Sequence, residues 1–546
     1  MNKRFIYFVL AFILSGCDGS GAGEDDGGVQ DGTVQDSSHA DAGDGDTDAD
    51  TDTDTDSDGD SDSDAGEDAC MYDPEDRIGW VRTWGGEKLE EGDAVAVGPD
   101  GTILVAGIFQ GEVDFDPGPG QDIHTSTSSY ETGYSGYVSA FTSEGIWQWT
   151  STINGSGVVD ATAVEVMQDG SIVVGGSFTE TVDFDPGSGN HDIDAEDGYY
   201  SYVLKLTGEG EFKWVYIIKG EEIITLYDLT VSNEDNVILT GDYDTTIIFE
   251  SDGGMEEHTA KGGDDSYIAK LGPEGELLWS RSMGGGGMDE AWGVASGPDE
   301  CVVVIGEFER GTMDFDPGPG VDEHTADIND VYLIKLDSDG NYEWGRHIQG
   351  PGIEFGRAVE VDDDGNIYAA VEHSNQVDFD PDTAGFEVKC SDFHCFSIAK
   401  YNAIGSFLWA DTINCSGPIL DVERLISTTD GIVAVGNYEE VIDFDPSPGL
   451  DEHSAIGDGR WDMYLAKYYE DGSYAWATTI GHPAICNSLS ASSDISGSFY
   501  ITGYFKNSVD FDPSGCTEIH ESTNGSDDTF LLFLNETGGY YDGNAR

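Results

Sequence analysis

One pattern returns along most of this chain and constrains its fold more than any other feature. A Trp on a short apolar run occurs at Trp80, Trp149, Trp214, Trp279, Trp344, Trp409 and Trp476, every 65 residues or a few more. Four residues after each stands an apolar partner: Trp84, Ile153, Ile218, Met283, Ile348, Ile413 or Ile480. Residues i and i+4 of a strand share one face. Each pair therefore marks a strand with one packed side, and the burial bias of Trp assigns it to packing rather than ligand contact. A unit repeated at this period buries its apolar face by stacking on its neighbours.

Two further markers complete the unit. Ala94–Val97, the turn Gly98-Pro99-Asp100-Gly101 and Ile103–Phe109 read as a hairpin. The turn returns as Asp169-Gly170, Asp364-Gly365 and Asp430-Gly431. Its second strand ends Gly-x-aromatic at Gly107/Phe109, Gly176/Phe178, Gly241/Tyr243, Gly306/Phe308, Gly436/Tyr438 and Gly503/Phe505, whereas unit five has Val371 and His373. A third strand, Tyr202–Leu206, has cognates starting at Tyr137, Tyr267, Tyr332, Tyr464 and Phe530. It leads through a Gly turn (Gly145, Gly210, Gly275, Gly340, Gly405, Gly472) into the Trp strand. Four antiparallel strands are the content of one propeller blade, and 75 Gly with many β-branched residues fit an all-β chain. The first Trp strand, Ile78–Gly86, has no unit before it, and the last unit, ending at Gly538, has no Trp strand after it. The expectation is an all-β fold: a single seven-bladed β-propeller of four-stranded antiparallel blades over residues 77–546, monomeric, and closed by the N-terminal strand completing the last blade.

These elements (Tyr-x-x-Lys-Leu, Asp-Gly-x-x-x-Trp and Asp-Gly-x-Ile-x-Val-x-Gly-x-Phe) resemble the seven-bladed β-propeller repeat proteins of bacterial envelopes and secretions. The resemblance spans roughly residues 77–546. It implies architecture and location, not a reaction.

The N-terminus reads as an export signal. Lys3 and Arg4 precede an apolar run from Phe5 to Leu14, too short for a membrane span. Residues 1–16 form the signal peptide. Leu14-Ser15-Gly16-Cys17 resembles the bacterial lipobox, which implies a lipidated, palmitate-bearing Cys17 and anchoring to a membrane of the cell envelope. Residues 17–76 are the lipidated Cys and an acidic stalk of Asp, Gly, Ser, Thr and Ala that cannot bury apolar area. About 55 such residues reach on the order of 180 Å when extended. Asp54-x-Asp56-x-Asp58-Gly59 looks like the first half of an EF-hand loop, but Ala65 stands where the bidentate Glu belongs. The formal net charge of −88, with 22 Lys plus Arg, excludes nucleic acid as a partner and favours cations.

Chemistry concentrates in an acidic insert, Val113-Asp114-Phe115-Asp116-Pro117-Gly118-Pro119-Gly120. It recurs at Asp183/Asp185, Asp314/Asp316, Asp378/Asp380, Asp443/Asp445 and Asp510/Asp512, while unit three has Ile248 and Glu250. Two carboxylates on one face before a Gly turn suit Ca²⁺; a solvated hairpin shaped by Pro and Gly explains the same residues. His124, His324, His453, His520 and His258 follow at a fixed distance. Lys205, Lys270, Lys335, Lys400 and Lys467 recur where cations are scarce and read as snorkelling along the unit surface. Among the cysteines, Cys395 pairs with Cys415 across a hairpin, with Cys390 as rival, and Cys486 pairs with Cys516; Cys301 is a buried thiol. The chain holds no Gly-x-Ser-x-Gly, Walker or His-Glu-x-x-His motif. The reading is a non-catalytic, lipid-anchored envelope protein that presents a propeller surface to a protein or glycan, with calcium at the inserts. The alternative is a hydrolase or lyase with its site at the channel mouth, to be sought around unit five with His373 and His394.

Overall fold

The computed structural model describes residues 77–541, except 131–132, 252, 381–384, 391–393, 419, 456–460, 482–484 and 515, and of Asp197 only the backbone. The signal peptide, Cys17 and the acidic stalk lie outside the described residues. Apart from one 3-10 turn at Thr523–Gly525, every described element is a β-strand. Each repeat unit supplies an inner, a second, a third and an outer strand. In unit four these are Asp289–Ser296, Val302–Asp314, Glu323–Leu336 and Tyr342–Ile348, paired antiparallel in that order.

The inner strands pack on one another in chain order: Glu90–Val97, Ala163–Val166, Ile224–Val231, Asp289–Ser296, Glu354–Val361, Arg424–Thr428 and Cys486–Ser493. The last packs back against the first, so the array closes into a propeller. The Trp80–Trp84 strand pairs with Asp527–Leu534, placing Trp80 opposite Phe533 and Trp84 opposite Thr529, and so provides the outer strand of the final sheet.

The expectation of seven separate four-stranded blades is corrected by the hydrogen-bond ladders. Five sheets are blade-sized, four with four strands and one with six, and a ten-stranded sheet takes up the rest of the ring. The acidic inserts are the cause. Five of the hairpins reach back to the end of the preceding unit's outer strand, at Gly86/Val113, Asn154/Asp183, Lys219/Ile248, Gln349/Asp378 and Cys415/Ile442. Pairing of outer strands in this way removes edges that would otherwise be exposed.

Between units, one contact recurs on the opposite side of the ring. The Trp279 indole Nε1 donates to Ser338 O at 3.1 Å, and Lys270 Nζ, from the strand position paired with Trp279, donates to the same carbonyl at 3.5 Å. Trp214 with Lys205 on Pro273 O, and Trp344 with Lys335 on Ala403 O, repeat it. At these three junctions the Lys does more than snorkel and ties neighbouring units, whereas Lys400 and Lys467 pair with Asp362 and Asp430 of their own units. Arg281 and Arg346 lie over Trp279 and Trp344 and donate through Nε to Gly340 O and Gly405 O. At the ring closure Arg82 lies over Trp80 and donates to Gly145 O at 2.8 Å.

Two disulfide expectations are corrected. Cys395 bonds Cys390, five residues away, rather than Cys415. The Cys415 thiol faces Glu439 O at 3.1 Å because its strand end is turned toward the next unit's insert. Cys486 is a buried thiol outside any disulfide, while Cys516 is disulfide-bonded, so the two do not pair. Cys301 is likewise a buried thiol, pushed up to about 12 by burial.

Gly340 holds φ +74, and a Cβ there would stand 2.8 Å from the Trp279 ring. Gly340→Val therefore combines left-handed strain with a clash, and a loss of roughly 2–4 kcal/mol is expected from urea denaturation midpoints.

Candidate functional site at the channel mouth

The inner strands carry a local irregularity. In five of them the register with the second strand slips by one residue, which sets Asp93, Tyr227, Trp292, Arg357 and Leu489 at the bulges. A bulge of this kind re-aims a side chain and is enriched beside functional sites. The bulged residues differ from unit to unit.

Three of them form a ladder. The Tyr227 and Trp292 rings stack at 4.3 Å, and the Arg357 guanidinium lies 5.0 Å from the Trp292 centroid and 4.5 Å from that of Phe355. Such stacking holds the flat guanidinium in one plane. Arg357 Nε donates to Glu372 Oε2 at 3.0 Å, and Glu372 Oε1 accepts the Val422 amide at 3.3 Å. Glu307 sits beside Trp292 and Arg357; burial pushes its carboxyl up to about 8, against the opposing pull of Arg357. Its Oε2 is buried without a hydrogen-bond partner. Burial holds the His394 imidazole below its ordinary range, against the pull of Glu372. His373, the other histidine singled out in unit five, bonds Ser397 Oγ and Asn375 O at 2.8 Å and serves the sheet.

A second arginine links inner strands of different units. Arg424 Nη1 donates to Asp228 Oδ1 at 3.0 Å, although the two residues belong to strands of different sheets and lie 196 positions apart. Its Nη2 is 3.7 Å from Glu165 Oε1. Asp228 Oδ2 accepts the Val294 amide at 3.1 Å, and Ser427 donates to Glu360 at 2.8 Å. Five inner strands meet around this one guanidinium. Burial raises Glu165 to about 7 despite Arg424, and it raises Glu360 as well.

The acidic inserts use their carboxylates locally. Asp314 Oδ1 accepts the amides of Asp316 and Asp322, at 3.2 and 2.8 Å, and Asp316 Oδ1 accepts that of Gly318 at 2.7 Å. The first Asp of the other pairs does the same: Asp114, Asp183, Asp378, Asp443 and Asp510 each accept an amide two and eight residues on. Asp116, Asp185, Asp445 and Asp512 each accept an amide two residues further on. Asp380 donates its own amide to Asp378. These are Asx turns that fix the hairpin tip. The motif Phe lies inside and the His packs against it, as in the Phe115–His124 and Phe444–His453 edge contacts. Where unit three lacks the pair, a groove of about 750 Å³ opens beside Asp316–Gly320. There Ser280 Oγ lies 2.8 Å from His258 Nε2 and donates to Glu256 at 2.7 Å, which fastens the Gly254–Thr259 hairpin to the outer strand.

No family model matches the chain. It is similar to an uncharacterized WD repeat-containing protein, L264, of Acanthamoeba polyphaga mimivirus, at 21% identity over 502 residues, covering 78% of this chain and 36% of the relative. The chain thus spans about a third of that relative's length. Among solved structures it resembles Sqt1 from Chaetomium thermophilum (11% identity, TM-score 0.37, covering 84% of this chain and 98% of the other). It also resembles an ulvan lyase of polysaccharide lyase family PL25 (10% identity, TM-score 0.39, covering 82% and 95%). The repeat likeness agrees with a propeller-like repeat fold.

Neither Arg357 nor Arg424 stands out by periodicity, because each occurs once. Their signal is that two of only 22 cationic residues fall on inner strands otherwise rich in Ala, Val and Ser.

Several acids at strand starts are also raised by burial: Glu90 and Glu354 to about 8, and Asp289 to about 7. Their folded values lie above the unfolded value of about 4. The folded state therefore binds more protons, and this stability is complete below pH about 4 and lost as pH rises through about 8. The thermal midpoint is expected to fall steadily between pH 5 and pH 8.5 in scanning calorimetry at constant ionic strength.

Proposed function

We propose that this protein is a non-catalytic binding scaffold of a bacterial envelope, tethered through lipidated Cys17 and an acidic stalk. The observation that supports a scaffold most is Arg424, whose ion pairs join the inner strands carrying Glu165, Asp228 and Arg424. The ring offers its mouth and the insert-bearing rim as surfaces. The lipobox-like Leu14–Cys17 supports the tether, and the charge of −88 supports a partner that tolerates or neutralises carboxylates.

Full-length protein expressed in a bacterium with labelled palmitate is expected to carry the label, and Cys17→Ala to lose it; label retained by Cys17→Ala contradicts the tether. Incubated with isolated envelope polysaccharide, the full chain is expected to be retained without shortening the polymer. Release of short fragments favours the hydrolase or lyase reading instead. Calcium at the inserts is a second reading, favoured by the six Asp pairs. A thermal midpoint that rises saturably with Ca²⁺ but not with Mg²⁺ at equal ionic strength supports it; equal shifts dismiss it.

A further inference from the structure

The bulge in the middle of the Glu354–Val361 inner strand holds a guanidinium that is more constrained than the fold requires. Arg357 lies between two aromatic rings, and its Nε is engaged by Glu372. Among the described residues neither Nη group donates to anything, and the side chain retains 21% exposure. Most arginines of the ring are spent on carbonyls or carboxylates through their Nη groups: Arg281, Arg346, Arg82 and Arg424 all donate there. Arg357 is alone among these in presenting the free edge of its fork. A planar fork held by its Nε and by stacking is pre-organised for two parallel hydrogen bonds to one oxyanion. Beside it is the Glu307 carboxyl, with a buried Oε2 that has no partner.

We propose that the surroundings of Arg357 at this bulge are a binding site for a carboxylate-bearing ligand, held by the Arg357 Nη groups with the Glu307 carboxyl as neighbour. Two ligand oxygens accept from the Arg357 fork. Protonated Glu307 donates a further hydrogen bond to the bound carboxylate. Burial keeps that proton on Glu307 up to about pH 8. The charged groups that face Glu307 are Arg357 from the next inner strand, Glu372 from the second strand of that unit, and Glu309 from its own strand; Glu423 also faces Arg357. Ionisation of Glu307 adds a negative charge against the ligand, so affinity falls as pH rises past about 8. This goes beyond the scaffold reading, since a ring that retains polysaccharide at its rim does not need this pocket.

The test is calorimetric titration of the full chain with sodium glucuronate and, as a neutral comparator, glucose, at pH 6.5 and pH 9. Saturable one-site binding of glucuronate, weaker at pH 9 and absent for glucose, is expected. Arg357→Lys keeps the charge but loses the fork and is expected to weaken glucuronate by about tenfold or more. Glu307→Gln keeps a donor and removes the ionisation, so its binding should be equal at the two pH values. Circular dichroism shows whether each variant folds, and Glu307→Gln carries the test if Arg357→Lys does not. No binding of glucuronate, or equal binding of glucose, overturns the proposal. Affinity unchanged in a folded Arg357→Lys does the same. Polysaccharide retention at the rim is unaffected by these outcomes, so the two readings fail separately.

Discussion

The ring depends on the contact between the Trp of one unit and the Gly turn of the next. A unit of four strands has two apolar faces and cannot bury either alone. The Trp indole fills one face and spends its only donor on a carbonyl of the neighbouring turn, as Trp279 does with Ser338 O. The turn accepts it because Gly340 has no side chain to occupy the same space. The same carbonyl takes a charge-assisted bond from Lys270. The latch therefore combines packing, a satisfied indole and one of the chain's few cations at a single place. In a ring the last latch must close on the first, and the Trp80–Gly145 contact does so.

On the other side, the inserts perform a complementary task. In five units their strands pair with the preceding unit's outer strand, and their Asp residues fix the tip by accepting its amides. The ring is thus held at its base by side chains and at its rim by main-chain pairing. A surface carrying so much negative charge repels itself, and fixed cross-unit contacts offset that. The channel follows from this frame. Inner strands that are locked by their neighbours tolerate bulges, and the bulges place Tyr227, Trp292 and Arg357 side by side.

Much of the unit was legible because packing imposes a period. The Trp, the Asp-Gly turn and the Tyr strand recur since every junction has the same shape. Fusion of sheets was not legible, because Val113 or Ile248 pairing with a distant outer strand leaves no mark beyond a short apolar run. The cysteines misled for a related reason: Cys395 and Cys415 flank one hairpin in sequence, but Cys415 is turned toward the next insert while Cys390 lies within reach. The site itself is carried by residues that occur once, and periodicity is blind to those. His373 drew notice by breaking the pattern and proved to be a sheet residue, whereas Arg357, sixteen positions earlier in the same unit, did not.

The central claim is that the ring is closed by the N-terminal Trp strand acting as the outer strand of the final sheet. Hydrogen exchange followed by mass spectrometry on the full chain tests it directly. The account predicts that amides in Trp80–Trp84 are protected as strongly as those in Phe530–Leu534, and that Trp84→Ala releases both together. Exchange of Trp80–Trp84 at the rate of an unstructured peptide, while Phe530–Leu534 stays protected, would contradict it.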